Sequence, residues 1–148
     1  MPAVAGADDG ALRELLLGAA PPAYVAVMGY LQPSEDFDRA VAELREAIRA
    51  VTRATTTFGY GPRFLHSTGQ FHKGGPRIGR FLQLLHDGPD DVTIPGRPYT
   101  FTTLKHAQAT GDLQTLRELG LPAERVRLEG DDPVGALRAL TAKIREWT

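Results

Sequence analysis

The sequence predicts a single α/β domain of three layers, with a mostly parallel sheet of about four strands and helices on both faces. Three observations predict this class. Apolar segments rich in β-forming residues alternate with segments of helical periodicity. The first apolar run, 23–31 (AYVAVMGYL), lacks polar alternation, which is typical of a strand buried on both faces. The length of 148 residues suits one core, so we expect residues 1–148 to form one domain.

The chain is predicted to begin with a short helix that leads to this buried strand. Residues 1–7 are small and are expected to be a disordered, frayed end. Asp8 or Asp9 can cap a helix in which leucines recur at helical spacing. Gly18 and a following pair of prolines end the helix before the strand at 23–31.

A second helix and a second strand follow. Ser34 is predicted to be the N-cap, with acidic residues in the first turn, where the helix dipole favours them. The helix extends to about Val51 because apolar residues recur at steps of four, three and four. These residues are Phe37, Val41, Leu44 and Ile48. The β-branched and aromatic segment 55–58 (TTTF) is predicted to be the second strand.

A third strand is predicted at 78–86 (IGRFLQLLH), followed by a surface loop at 87–100 that contains three prolines. A helix is predicted to begin near Thr100 or Thr102. Because glycine and residues that favour turns interrupt its pattern, we expect a break or kink at 110–112 (TGD).

The last predicted elements are a short strand and a helix. Gly120 is predicted to close the preceding helix, and 125–129 (RVRLE) is predicted to be the fourth strand. Asp132 and Pro133 form a cap followed by proline at the first helical position. The final helix is predicted over 134–147.

Residues 59–79, hereafter the polar stretch, join the second and third predicted strands. The segment is richer in glycine and polar side chains than an ordinary connection needs. It follows the carboxyl end of a strand, which is where ligands bind in parallel sheets. We therefore predict that a ligand-binding site lies here. Its candidate catalytic residues are His72, His66 and Lys73, and its candidate substrate- or phosphate-binding residues are Arg63, Ser67, Thr68, Gln70, Gly74 and Gly75.

Each of these candidates also has a structural alternative. His66 and His72 can move protons near neutral pH, or they can be hydrogen-bonded anchors of the loop. Lys73 beside two glycines forms an anion cradle, or is a solvated lysine in a turn. Arg63 can bind a phosphate with two parallel hydrogen bonds, or can pair with an acid on a neighbouring helix.

The hydroxyl and amide side chains leave the same choice open. Ser67, Thr68 and Gln70 can donate hydrogen bonds to a phosphate or a sugar, or they can form a capped turn. No acidic residue within the stretch would activate Ser67 as a nucleophile. The two histidines are six residues apart without nearby acids, which is not typical of metal ligands, so no metal or other cofactor is predicted.

Composition limits the class of protein further. The formal net charge of −1 gives no reason to expect a nucleic acid or a membrane as partner. There are no cysteines, which excludes disulfides and fits a reducing compartment. No secretory signal and no apolar run of membrane-spanning length is seen, so a cytoplasmic location is expected. Self-association into a homo-oligomer is left open.

The polar stretch also resembles a known motif. Residues 59–76 (GYGPRFLHSTGQFHKGGP) are similar to a segment in the C-terminal region of bacterial bifunctional transaldolase/glucose-6-phosphate isomerases, which typically reads GPRFLHSTGQLHKGGPNTG. The flanking segment AYVAVMGYLQPSEDFDRAVAELREAIR resembles that family's YVALLAYLPPTPE. Further on, IPGRPYTFTTLKHAQATGDLQTLRELG resembles IPGQPYTFGVLKAAQALGDLQALR. Phe71 replaces the usual leucine, and Arg77-Ile78 replaces Asn-Thr, which adds a positive charge.

This resemblance implies a hexose 6-phosphate ligand and aldose–ketose isomerisation. Isomerisation needs a base that moves a proton between C1 and C2, and in phosphoglucose isomerases this glutamate lies in an E-S-x-G-K segment. That segment is absent from this chain. A partner chain would then supply the base, or an acid outside the stretch would replace it. The candidates are Asp87, Asp90 and Asp91. The alternatives are a non-catalytic sugar-phosphate-binding or assembly module, and a His/Lys loop repurposed for a related substrate.

Overall fold

A computed structural model of the chain describes residues 9–19, 23–60, 79–86, 96 and 101–147. In chain order, its elements are α1 (Asp9–Leu17), β1 (Tyr24–Tyr30), α2 (Glu35–Thr52), β2 (Thr55–Tyr60), β3 (Gly79–Leu85), α3 (Phe101–Glu118), β4 (Ala123–Arg127) and α4 (Pro133–Arg145). The described strands form one sheet in the order β2-β1-β3-β4, and each neighbouring pair is parallel.

Strand β1 lies inside the sheet, between β2 and β3. Its Met28 is in register with Gly59 of β2 and Gln83 of β3, and Gln83 is in turn in register with Arg125 of β4. The absence of polar alternation in β1 agrees with this position, because helices cover both faces of the strand.

Local signals set the ends of α2 and α4. The hydroxyl of Ser34 accepts a hydrogen bond from the amide of Phe37 at 3.1 Å, which satisfies one of the free donors of the first turn of α2. Arg53 caps the C-terminus of α2 and has a positive φ of 61°. Asp132 accepts from the amide of Gly135 at 2.9 Å, and Pro133 occupies the first turn of α4.

Helices α1, α2 and α4 cover one face of the sheet, hereafter the apolar face. Their leucines, alanines and aromatic residues pack with the alternate side chains of β1 and β3 in one continuous apolar cluster. Fully buried members include Phe37, Leu44, Leu82, Leu137 and Ile144.

Helix α3 covers the opposite face, hereafter the mixed face. Its Ala109, Leu113 and Leu116 pack on Ala26 and Phe81. Polar residues are buried on this face as well, including Gln83 and Arg125. Helices on both faces of an all-parallel sheet confirm the predicted three-layer α/β class.

The predicted break at 110–112 is wrong, because α3 is one continuous helix from Phe101 to Glu118. The residues that suggested the break are bound to the rest of the fold. Thr110 accepts a hydrogen bond from Arg125 at 3.0 Å, and Asp112 accepts one from the hydroxyl of Tyr30. Tertiary hydrogen bonds thus override the weak local preference for a turn.

Strand β4 begins and ends two residues earlier than predicted, at Ala123 and Arg127. Pairing with β3 decides this register, since Ala123 lies opposite Phe81 and the amide of Phe81 donates to the carbonyl of Pro122 at 2.9 Å. Strand β2 extends beyond its predicted end, through Gly59 to Tyr60.

Strand β2 is an edge strand of the described sheet. Arg45 of α2 reaches over it, and its guanidinium donates to the hydroxyl of Thr56 at 2.9 Å and to the main-chain oxygen of Thr56 at 2.9 Å. Among the described helices, none is long and apolar enough to cross a membrane.

Candidate functional site

The strand order creates a topological switch point at the carboxyl ends of β1 and β3. From β1 the chain proceeds to β2 through α2 on the apolar face. From β3 it proceeds in the other direction to β4, with α3 on the mixed face. The strands on the two sides of such a point open a crevice at their carboxyl ends, and ligands of doubly wound sheets bind there. A ligand site is therefore expected at this edge.

The sequence-predicted site residues lie outside the described residues, so their roles stay predictions. They are His66, His72, Lys73, Arg63, Ser67, Thr68, Gln70, Gly74 and Gly75, together with the alternative acids Asp87, Asp90 and Asp91. The structure places the two ends of the polar stretch. Tyr60 ends β2 at the carboxyl edge, and Gly79 begins β3 at the opposite edge.

The first part of the described edge is acidic. The first turn of α2 follows β1 and contains Glu35, Asp36 and Asp38. The hydroxyl of Tyr60 donates to a carboxylate oxygen of Asp38 at 2.6 Å. Partial burial, together with this hydrogen bond and the carboxylate charge, raises the pKa of Tyr60 to about 12. The helix's own carboxylates compensate its N-terminal dipole, so this position is unfavourable for a phosphate.

His86 follows β3 and connects three segments at the same edge. Its amide donates to the carbonyl of Tyr30 at 3.3 Å, and its main-chain oxygen accepts from the ammonium of Lys105 at 2.5 Å. The ring Nε2 lies 2.7 Å from the carbonyl oxygen of Gly130. Because a carbonyl oxygen only accepts, Nε2 is the donor and carries a proton. These contacts give His86 a structural role, because they connect the end of β3 to β1, α3 and the loop after β4.

A cavity of about 260 Å³ lies beside His86, between the carboxyl ends of β3 and β4. It is hereafter the β3/β4 cavity. Its lining residues are Leu85, His86, Arg127, Leu128, Glu129, Gly130 and Asp131. The sequence analysis missed this cavity because its residues come from two separate strand ends and form no local motif. The only local signal is the acidic, glycine-containing run that follows β4.

A buried polar network lies below this edge on the mixed face. The hydroxyl of Tyr30 donates to Asp112. Arg125 is 1% exposed, and its Nε donates to the side-chain oxygen of Gln83 at 2.6 Å. The side-chain nitrogen of Gln83 donates to the carbonyl of Ala109 at 2.8 Å. The network therefore joins β1, β3 and β4 to α3.

Burial shifts the titration of this network. Desolvation, followed by the hydrogen bond and charge of Asp112, raises the pKa of Tyr30 far above its ordinary value, so the phenol stays protonated. Desolvation, together with the charges of Arg127 and Arg117, lowers the pKa of Arg125. The network therefore contains the neutral phenol of Tyr30, the carboxylate of Asp112 and the guanidinium of Arg125. Its hydrogen bonds hold α3 in position on the sheet.

The described residues offer no cluster of three histidine, cysteine or acidic side chains arranged to hold a metal ion. The residues that line the cavity at this edge instead include one cationic side chain, Arg127, and two exposed acidic side chains, Glu129 and Asp131.

No protein-family model matches the chain, and no curated protein matches it significantly in sequence. Solved structures do match its fold. One is the crystal structure of hypothetical protein TT0462 from Thermus thermophilus, with a TM-score of 0.63 and 20% sequence identity. The alignment covers 92% of this chain and 38% of that chain, so this chain spans well under half the length of the protein it matches. At this identity the likeness shows a shared fold alone.

Proposed function

We propose that this chain is a sugar-phosphate-binding domain related to the C-terminal region of the bifunctional transaldolase/glucose-6-phosphate isomerases. It contributes to the aldose–ketose isomerisation of a hexose 6-phosphate, and a partner chain supplies the glutamate base. The observation that carries this proposal is the point at which the polar stretch begins. Its motif begins at Gly59 and Tyr60, at the carboxyl end of β2 and next to the switch-point strand β1.

In this proposal, each type of side chain in the polar stretch has a different role. Lys73 contributes a point charge beside the main-chain amides of Gly74 and Gly75, which suits a phosphate dianion. Arg63, Ser67, Thr68 and Gln70 supply further donors. His72 and His66 transfer the protons that open the sugar ring, since imidazole exchanges protons near neutral pH.

The charge of the described edge supports assigning the phosphate to the polar stretch. The other natural phosphate position in such a sheet is the N-terminus of the helix after β1. In this protein that turn contains Glu35, Asp36 and Asp38, and a phosphate placed there would meet three carboxylates. The polar stretch, in contrast, contains Arg63, Lys73 and Arg77 and no acidic residue, and it begins at the carboxyl end of β2.

A second candidate function is a non-catalytic sugar-phosphate-binding or assembly module. It is favoured by the absence of the E-S-x-G-K segment from this sequence. Both candidates require binding of a sugar phosphate, and they differ in whether the chain affects turnover.

Binding is tested by calorimetric titration with fructose 6-phosphate. We expect saturable binding that Lys73→Ala weakens by about tenfold or more, because a charged hydrogen bond to the phosphate is lost. The matched control is Lys143→Ala, which removes an exposed lysine of α4 and should leave the affinity unchanged. Absence of binding by the unaltered chain would contradict both candidate functions.

Turnover separates the two candidates. The purified chain alone should not convert fructose 6-phosphate to glucose 6-phosphate. Together with a chain that carries the missing glutamate segment, it should raise turnover, and His72→Ala should abolish that gain. His106→Ala, in α3, is the matched control and should retain it. Binding without any gain in turnover would favour the non-catalytic module.

A further inference from the structure

We infer that the β3/β4 cavity binds the neutral, hydroxyl-rich part of a ligand, such as the ring of an unphosphorylated monosaccharide. The inference rests on the proposed function only for the identity of the sugar. The cavity itself is defined by described residues at the ends of two neighbouring strands, outside the polar stretch.

The walls of the cavity are fixed by the fold. The amide of Leu128 donates to the carbonyl of Leu85 at 2.8 Å, which extends the pairing of the two strands beyond their ends. Gly130 has a φ of 82° and turns its carbonyl toward the ring of His86, at 2.7 Å. A residue with a side chain rarely adopts this backbone conformation. The cavity is therefore formed before a ligand arrives, which lowers the cost of binding.

The charges of the lining point to a neutral ligand. Glu129 and Asp131 are exposed at the cavity and carry two negative charges, which disfavour phosphate and other anions. Arg127 lines the same space, and its positive charge disfavours a simple cation. A sugar hydroxyl both donates and accepts hydrogen bonds, so it suits a lining that carries charges of both signs.

Size and coordination chemistry agree with this class. The volume of about 260 Å³ is just below the range of about 300–1,000 Å³ that is usual for drug-sized ligands, and suits a single sugar ring. The protonated Nε2 of His86 is occupied by Gly130, and the described residues form no metal-binding cluster, so a metal site is not favoured.

Because the positions of hydroxyls differ between sugars, Glu129, Asp131 and Arg127 determine which sugar the cavity accepts.

The test is an NMR titration of the ¹⁵N-labelled chain with unphosphorylated fructose, and separately with inorganic phosphate and with methylammonium. We expect fructose to shift the amide signals of residues 85–86 and 127–131, and the two ions to leave these signals in place. A response of the same amides to phosphate or methylammonium but not to fructose would overturn the inference.

Variants sharpen the assignment. The double variant Glu129→Gln and Asp131→Asn should weaken fructose binding by about tenfold, because two charged acceptors become weaker neutral ones. The control Glu118→Gln changes an exposed acid at the end of α3 and should leave the affinity unchanged. An unchanged affinity in the double variant would also overturn the inference.

A parallel titration with fructose 6-phosphate distinguishes this inference from the proposed function. Suppose that fructose 6-phosphate binds and that Lys73→Ala weakens this binding, but that the amide signals of 127–131 do not shift. This result would refute the cavity assignment and keep the proposed function. Fructose shifts at the cavity without any binding of fructose 6-phosphate would support the cavity and refute the proposed function.

Discussion

The two faces of the sheet are buried by different chemistry. On the apolar face, α1, α2 and α4 pack against the strands through apolar side chains. On the mixed face, α3 packs through leucines and alanines and also through buried polar contacts, including those of Arg125 and Tyr30. Apolar contact is non-directional, whereas hydrogen bonds in a low-dielectric interior require one geometry. The apolar face therefore supplies stability, and the mixed face determines where α3 lies.

The largest predicted effect breaks the apolar face. Leu44→Ala should lower the free energy of unfolding by about 2–5 kcal/mol, because the fully buried side chain leaves a cavity between α2 and its neighbours. Urea denaturation followed by circular dichroism measures the loss. The control Leu44→Met conserves volume and should cost under about 1.5 kcal/mol. Equal losses from both variants would contradict purely apolar packing here.

The second prediction breaks the mixed face without changing its volume. Tyr30→Phe removes the phenolic donor and leaves the buried carboxylate of Asp112 without it, which should cost about 1–3 kcal/mol of unfolding free energy. The same denaturation experiment measures it. Val27→Thr provides the apolar-face comparison, because it keeps the side-chain shape but places a hydroxyl in the apolar cluster and should also lower the free energy of unfolding. A neutral effect of Tyr30→Phe would show that the hydrogen bond does not hold α3.

The third prediction concerns the continuity of α3. Gly111 is exposed within the helix, and a Cβ atom there would meet nothing within 4 Å. Gly111→Ala should therefore stabilise the protein by about 0.5–1 kcal/mol, through higher helix propensity. The melting temperature should rise. Gly130→Ala, at a positive φ of 82°, should lower it instead. A fall in stability for Gly111→Ala would instead indicate that the helix is interrupted at 110–112.

The smallest effect tests a polar contact at the carboxyl edge of the apolar face. The pKa of Tyr60 is raised from 10.0 to about 12, so the folded state binds this proton more tightly than the unfolded state. Its contribution is complete below pH 10 and is lost as the pH rises from 10 towards 12. Asp38→Asn should move the pKa of Tyr60 back towards 10, as followed by the absorbance of tyrosinate. No change would show that Asp38 does not perturb this phenol.

The elements that the sequence predicts well are those with long, regular patterns. The stripe of Phe37, Leu44 and Ile48 in α2 is buried as its periodicity indicates, and Ser34 is the N-cap. These features depend on neighbours within a few residues of one another. The alternation of helices and strands along the chain follows from the same local signals, whereas the order of the strands in the sheet depends on pairing between distant segments.

The features that the sequence analysis missed depend on distant partners. The continuity of α3 requires Tyr30, 82 residues from Asp112, and Arg125, 15 residues from Thr110. The early start of β4 depends on its pairing with β3, because Ala123 and Glu124 are poor strand formers. The β3/β4 cavity likewise combines two strand ends that no spacing pattern connects. The polar stretch is the opposite case, because its candidate residues are contiguous in the sequence and could be named as a predicted site without knowledge of the fold.

The contact of Arg45 with Thr56 has a consequence for the protein at high concentration. An edge strand offers unpaired main-chain groups to which a strand of another molecule can add. On β2 the main-chain oxygen of Thr56 already accepts a hydrogen bond from the guanidinium of Arg45. A strand added at this edge would have to break that hydrogen bond, and the positive charge of Arg45 would lie beside its backbone. This side chain therefore protects the sheet against edge-to-edge aggregation while it fixes α2 to the strand.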